Sequence, residues 1–219
     1  MSAASSPRTA RPTLTERRKA ETKWEIARRA AQLFSERGAA DVTAEGIADA
    51  AGVSLRTFYR YFRTKEEAVT PLLTGGVRQW LDVLEAAPAE LSVAEALERA
   101  VRTALAPAGL HSQEQLEALL TAKGLLRAMP GDPALHAVWL RVHAETEEAL
   151  IPVLTALVRE DTDPLDVRLT AAATNVAMRM AMESWAATDT APDDAERGPA
   201  ALAVRCLRGL TAGLRTPRG

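Results

Sequence analysis

Apolar positions along this chain recur at intervals of three and four, the spacing that lines one face of a helix. Over 15–37 they are Trp24, Ile26, Ala27, Ala30, Ala31, Leu33 and Phe34, and Gly38 ends the stretch. A short helix follows from Thr43, with Ile47, Ala48 and Ala51 inward and Gly52 closing it. Ser54 caps a third helix, and Thr64 caps a fourth with Glu66 and Glu67 at its electropositive end. Beyond it, windows rich in Ala, Leu, Glu and Arg are separated by breakers at Pro88, 107–109, 130–133, 161–164 and 189–199. Ser92 with Glu95 forms a capping box. Asp132 before Pro133, and Asp163 before Pro164, pair an N-cap with proline at the first helical position. The pattern predicts an all-α fold of nine helices, at 15–37, 43–51, 54–61, 64–86, 92–106, 112–129, 132–160, 163–188 and 196–215. Pro71, followed by Gly75 and Gly76, is expected to kink or split the fourth helix, and Pro152 the seventh.

Composition narrows the class. A chain of 219 residues with 47% hydrophobic residues can bury a core. Residues 1–14 are rich in Ser, Ala, Pro, Thr and Arg without a period, and read as a disordered basic arm. No apolar run is long enough to span a bilayer, and the first residues lack a signal peptide's apolar stretch. A cytoplasmic protein without membrane contact is expected. The single cysteine, Cys206, excludes an intrachain disulfide framework and a multi-cysteine zinc site. It reads as a small helical hydrophobe, with a redox-sensing thiol as the alternative. No metal or cofactor is expected.

The net charge of −2 hides an asymmetry. Residues 1–66 carry 13 Lys and Arg against 8 Asp and Glu, whereas residues 67–219 carry 14 against 21. A basic front on an acidic body suits a DNA-contacting module on a second module, although chance clustering of solvated charge produces the same numbers.

The stretch from Val42 to Lys65 separates those readings. A helix-turn-helix needs a short first helix, a tight turn, and a second helix with one face free. Ala48 is small enough for a close crossing, Gly52 tolerates positive φ, Val53 plugs the angle, and Phe58 and Phe62 pin the second helix. Leu55, Arg56, Tyr59, Arg60 and Arg63 fall on the opposite face. Arg56 can pair with guanine, and Leu55 or the Thr57 methyl can meet a thymine methyl. Tyr59, Arg60, Tyr61 and Lys65 would clamp phosphates, with Thr43 offering a hydroxyl and open backbone N–H groups to another. A basic face that is merely solvated is the rival reading. The aromatics Tyr59 and Tyr61 among arginines argue against it.

The run from Thr43 to Ala68 resembles the signature of the TetR family of regulators, with Tyr61 where histidine is common. The resemblance implies base-region contacts from Leu55, Arg56 and Thr57, and phosphate contacts from Thr43, Tyr59, Tyr61 and Lys65. It implies a nine-helix TetR-like fold. Residues 15–66 would form the helix-turn-helix DNA-binding domain, and residues 67–219 an effector-binding and dimerisation domain. It further implies a homodimer joined by the last two helices, on a palindromic double-stranded operator, with repression relieved by a small effector. The segment 163–185 resembles, more distantly, a subgroup that binds acyl-CoA-like ligands.

The small-residue series Leu169, Ala172, Ala173, Val176, Ala177, Met180 and Ala181, and Ala200, Ala203, Val204, Leu207, Leu210 and Leu214, permit the close contact such a dimer needs, or simply packing within one subunit. Candidate pocket residues among helices four to eight are Trp80, Met129, Trp139, Met178, Met182 and Trp185, with Arg127, His143, Asn175 or Arg179 to orient a polar head. Plain core packing accounts better for each apolar member, and a satisfied or exposed helical histidine accounts better for His143. Arg179, in an apolar run, must find a partner if buried, either an acidic ligand or an internal carboxylate. An enzyme fits poorly, since His111, His136 and His143 form no metal or catalytic motif and no phosphate loop appears. A helical sensor without DNA binding is the other alternative.

Overall fold

A computed structural model describes residues 13–105 and 113–211. The segment 1–12, His111, Leu214 and the break at 107–109 lie outside the described residues.

Nine α-helices and no strand occur among those residues: α1 (Leu14–Arg37), α2 (Ala44–Ala50), α3 (Leu55–Tyr61), α4 (Thr70–Glu85), α5 (Val93–Leu105), α6 (Gln113–Ala128), α7 (Pro133–Leu157), α8 (Pro164–Ala186) and α9 (Pro199–Thr211). The caps explain the starts. Thr13 and Glu16 exchange hydrogen bonds in a capping box ahead of α1. Ser92 and Glu95 do so ahead of α5. Asp132 accepts from the Leu135 amide at 2.8 Å, and Asp163 from the Leu165 amide at 2.8 Å, each with proline opening the helix.

Two proline expectations resolve differently. A 3-10 turn over Glu66–Val69 precedes α4, so Pro71 sits in the first turn of α4, where a missing N–H costs nothing. The predicted fourth helix is thus split at its start and runs regularly through Gly75 and Gly76. Pro152 lies inside α7, which continues unbroken to Leu157. Gly75 is a seat: a Cβ there would stand 3.2 Å from the Trp24 ring of α1. Gly124 of α6 likewise lets Ser35 of α1 approach, because a Cβ would lie 2.3 Å from its Oγ.

Burial divides into two clusters. The first joins Ile26, Phe34, Ile47, Phe58 and Phe62 to Leu72 and Leu73 of α4, Leu125 of α6, and Leu135 and Trp139 of α7. The second joins Trp80 and Leu84 of α4 to α5, the later part of α7, α8 and α9. Val77 and Met182 pack against both. The first three helices are therefore bedded on α4, α6 and α7, and α4 runs from one cluster into the other. Cys206 is a free thiol at the margin of the second. Among the described residues no helix is long and apolar enough to cross a membrane.

Candidate functional site

The turn between α2 and α3 is set by backbone geometry. Gly52 has φ +66°, its amide donates to Asp49 O at 3.0 Å, and the Val53 amide donates to Ala48 O at 2.9 Å. This is a Schellman closure, which glycine enters without the Cβ penalty. Ser54 then caps α3, its Oγ accepting from the Thr57 amide at 3.1 Å. Phe58 and Phe62 are buried, their ring centroids 5.7 Å apart.

Opposite those rings, Leu55, Arg56, Tyr59 and Arg60 are exposed, Leu55 by 39% and Tyr59 by 54%. Thr57 is half-buried, and its Oγ accepts from the Ser54 hydroxyl at 3.0 Å. Thr43 is exposed at the start of α2, with its hydroxyl capping the Gly46 amide at 3.0 Å. Tyr61 does not stand free beside Tyr59. It is half-buried against the first cluster, with the Arg60 guanidinium 4.9 Å and the Lys23 ammonium 5.9 Å from its ring centroid. Lys23 is thereby drawn into the basic patch. Periodicity hides it, because it lies on the polar side of α1 with only its charge as a signal.

Lys65 is used internally. Its Nζ donates to Ala39 O at 2.5 Å and Val42 O at 2.7 Å, fastening the α1–α2 loop to the end of the helix-turn-helix. The next turn is tied down by Glu67. Its carboxylate accepts from the Arg63 amide at 3.1 Å and from Arg141 of α7 at 3.2 Å. The Arg63 amide is the main cause that holds this carboxyl below its ordinary value.

Behind these elements lies a cavity of about 450 Å³. Of the residues singled out in the sequence, Trp80, Trp139, His143, Asn175, Met178 and Met182 line it. Leu72, Leu73 and Trp24 also line it, so one wall consists of residues from the first cluster and from α1. Trp24 reads in sequence as part of a core stripe, and nothing local marks it as a cavity residue. Met129 lies in the 3-10 turn Met129–Gly131 that follows α6 and lines a different cavity, with Pro130, His136 and Glu183. Arg179 does not face the first cavity either. It pairs with Glu183 one turn along α8 at 3.3 Å, an internal carboxylate. Arg127 is also taken, by Ala186 O, Thr188 O and Asp189. Trp185 is fully buried core, its Nε1 donating to Thr190 O at 3.0 Å.

Two buried polar lining residues, His143 and Asn175, form a chain with Glu147. Asn175 Nδ2 donates to Glu147 at 3.2 Å, and Asn175 Oδ1 lies 2.7 Å from His143 Nδ1. The His143 ring also meets Trp139 edge to face, centroids 4.1 Å apart. Burial pushes the imidazole pKa down from its ordinary value. The Asn175 bond opposes this, the Arg179 charge adds to it, and Glu183 opposes it. Arg78 and Asp82, the charged lining residues, are exposed at the rim.

Comparison with known proteins agrees with this geometry. Residues 26–69 match the family described as bacterial regulatory proteins of the tetR family. The chain is 31% identical to the HTH-type transcriptional regulator TcmR of Streptomyces glaucescens over 152 residues, 69% of this chain and 66% of that protein. The matched segment thus spans just under two thirds of that relative's length. Among solved structures, a regulator described as TetR-family from Syntrophomonas wolfei superposes with TM-score 0.63 at 15% identity, covering 90% of this chain and 98% of the other. NalD of Pseudomonas aeruginosa superposes with TM-score 0.54 at 20% identity, covering 90% and 98%. At those identities the two structures speak to the fold. With the helix-turn-helix, the nine helices and the relative in agreement, the chain belongs to the TetR family of regulatory proteins.

Proposed function

We propose that this protein is a ligand-responsive, DNA-binding repressor that acts as a homodimer and leaves its operator when a small, largely apolar effector enters the cavity. Residues 15–66 are the DNA-binding unit in this reading, and residues 67–219 the effector and dimerisation unit. The observation that carries it is the α3 face. Leu55, Arg56, Tyr59 and Arg60 are exposed on a helix whose other side is pinned by Phe58 and Phe62. Arg56, in the first turn, is the base reader, with Leu55 and the Thr57 methyl on thymine. Thr43, Tyr59, Arg60 and Lys23 hold phosphates, and Tyr61 and Lys65 position them from behind.

The apolar residues Leu165, Leu169, Val176 and Met180 of α8 and Leu210 of α9 are exposed, which supports pairing of two copies through these helices. Ala177, Ala181, Ala203, Val204 and Leu207 pack within the subunit instead. The cavity lining favours a neutral effector over an acyl-CoA-like one, because its charged members Arg78 and Asp82 carry opposite signs and stand exposed at the rim, while Arg179 and Arg127 are occupied by the protein itself. Signal transfer follows from the shared wall. A ligand that displaces Trp24, Leu72 or Leu73 pushes on α1 and the start of α4, and so changes the separation of the two recognition helices. Identical separation in ligand-bound and DNA-bound crystals would contradict this route.

The experiment is anisotropy titration of wild type and Arg56→Ala on operator and single-base variants. The substitution should erase discrimination of about 1–3 kcal/mol at one base pair per half-site and leave the other positions unchanged. Unaltered discrimination at every position would remove Arg56 from base reading.

A further inference from the structure

The cavity reading above leaves the effector's chemistry open, and His143 closes part of it. The ring is 6% exposed and lines the cavity, and its Nε2 has no hydrogen-bond partner among the described residues. The state of that nitrogen follows from its neighbours. Glu147, as a carboxylate, only accepts, so the Asn175 amide must turn its NH₂ group toward it. Asn175 Oδ1 therefore faces His143 and also only accepts, which places the ring proton on Nδ1. Nε2 is left with an unpaired lone pair, itself closed to solvent, on a residue that shares the cavity lining with Trp80, Trp139 and Met178. An unsatisfied acceptor at such a depth favours a ligand that brings a donor, and it repels a carboxylate, which would meet it lone pair to lone pair while losing its water.

We propose that His143 is a specificity-determining residue: its Nε2 accepts a hydrogen bond from a neutral hydroxyl or N–H group on an otherwise apolar effector. The inference rests on the cavity being the effector site and goes further by naming the effector's polar handle. Asn175 and Glu147 act through His143, holding its tautomer, and are positioning residues in this scheme. The distinction matters because a site built around one donor discriminates against analogues that lack it, whereas an apolar wall alone does not.

The test uses the full-length protein and three compounds of similar shape: 2-naphthol, 2-methoxynaphthalene and 2-naphthoate, titrated calorimetrically. The hydroxyl compound should bind about tenfold more tightly than its methyl ether, the worth of one buried hydrogen bond, with the carboxylate weakest. His143→Phe should bring the first two within about twofold of each other by lowering naphthol affinity. Nitrogen-15 NMR of the ligand-free wild type, which needs no variant, should show Nδ1 protonated and Nε2 bare. Equal affinity for naphthol and its ether in the wild type, or a proton on Nε2, overturns the inference and leaves the cavity reading intact. Failure of all three compounds to bind overturns both.

Discussion

Lys65 and Arg60 stand five positions apart, carry the same charge, and have different surroundings. Arg60 is exposed over the Tyr61 ring, whereas the Lys65 ammonium is held by the carbonyls of Ala39 and Val42. A cation that neutralises phosphate releases counterions, and its loss shows in the salt dependence of binding. Arg60→Gln should therefore flatten the slope of log K against log salt by about one and leave the unfolding midpoint in place. Lys65→Met should leave the slope alone and destabilise the fold by about 2 kcal/mol, because two partly buried carbonyls lose a charged donor. Salt titrations paired with urea unfolding separate the two roles, and a flattened slope in Lys65→Met would return that residue to the phosphates. Sequence periodicity places both cations near one helix end. It carries no information on which carbonyls, 23 and 26 residues away, wait for one of them.

At the scale of elements, what was legible was what is encoded locally. Side-chain caps at Ser54, Ser92, Asp132 and Asp163, and the positive φ of Gly52, each depend on residues within one turn. Pro71 was harder to read, because proline in a first turn and proline in a helix interior look alike until the start of the helix is known. The cavity was half legible for the same reason. Trp139, His143, Asn175 and Met178 lie on faces that periodicity turns inward, but Trp24 comes from a different segment and Met129 sits in a 3-10 turn and lines another cavity. The outward stripe of α8 carries its own prediction. Val176 and Met180 are 37% and 44% exposed, so Val176→Asp with Met180→Asp should leave the subunit folded and shift sedimentation from dimer to monomer, weakening operator binding with it. A double variant that still sediments as the wild type would place the dimer interface elsewhere.

On the scale of the whole molecule, the cavity ties pH to stability. Burial lowers the His143 pKa below the ordinary value of 6.5, so the unfolded chain binds more protons than the folded one beneath that pH. The contribution is whole above about pH 6.5 and drains away as pH falls toward the lower folded value. Glu67, held down mainly by the Arg63 amide, and Glu98, held down mainly by Arg208, add a second loss below their ordinary value of 4.5. Urea unfolding of wild type should thus weaken in two stages on acidification, and His143→Phe should abolish the upper stage alone. An upper stage that survives the substitution would assign it to another group. In the proposed function the same molecule meets DNA as a pair of α3 helices offering Arg56 and its neighbours to successive turns of one duplex face. Footprinting on the DNA upstream of the protein's own gene tests that claim most directly. Two symmetric protected half-sites are expected, about one helical turn, or a whole number of turns, apart. Protection should vanish in a variant whose α3 face lacks Arg56 and Tyr59. An unprotected duplex, or protection that the variant retains, would contradict it.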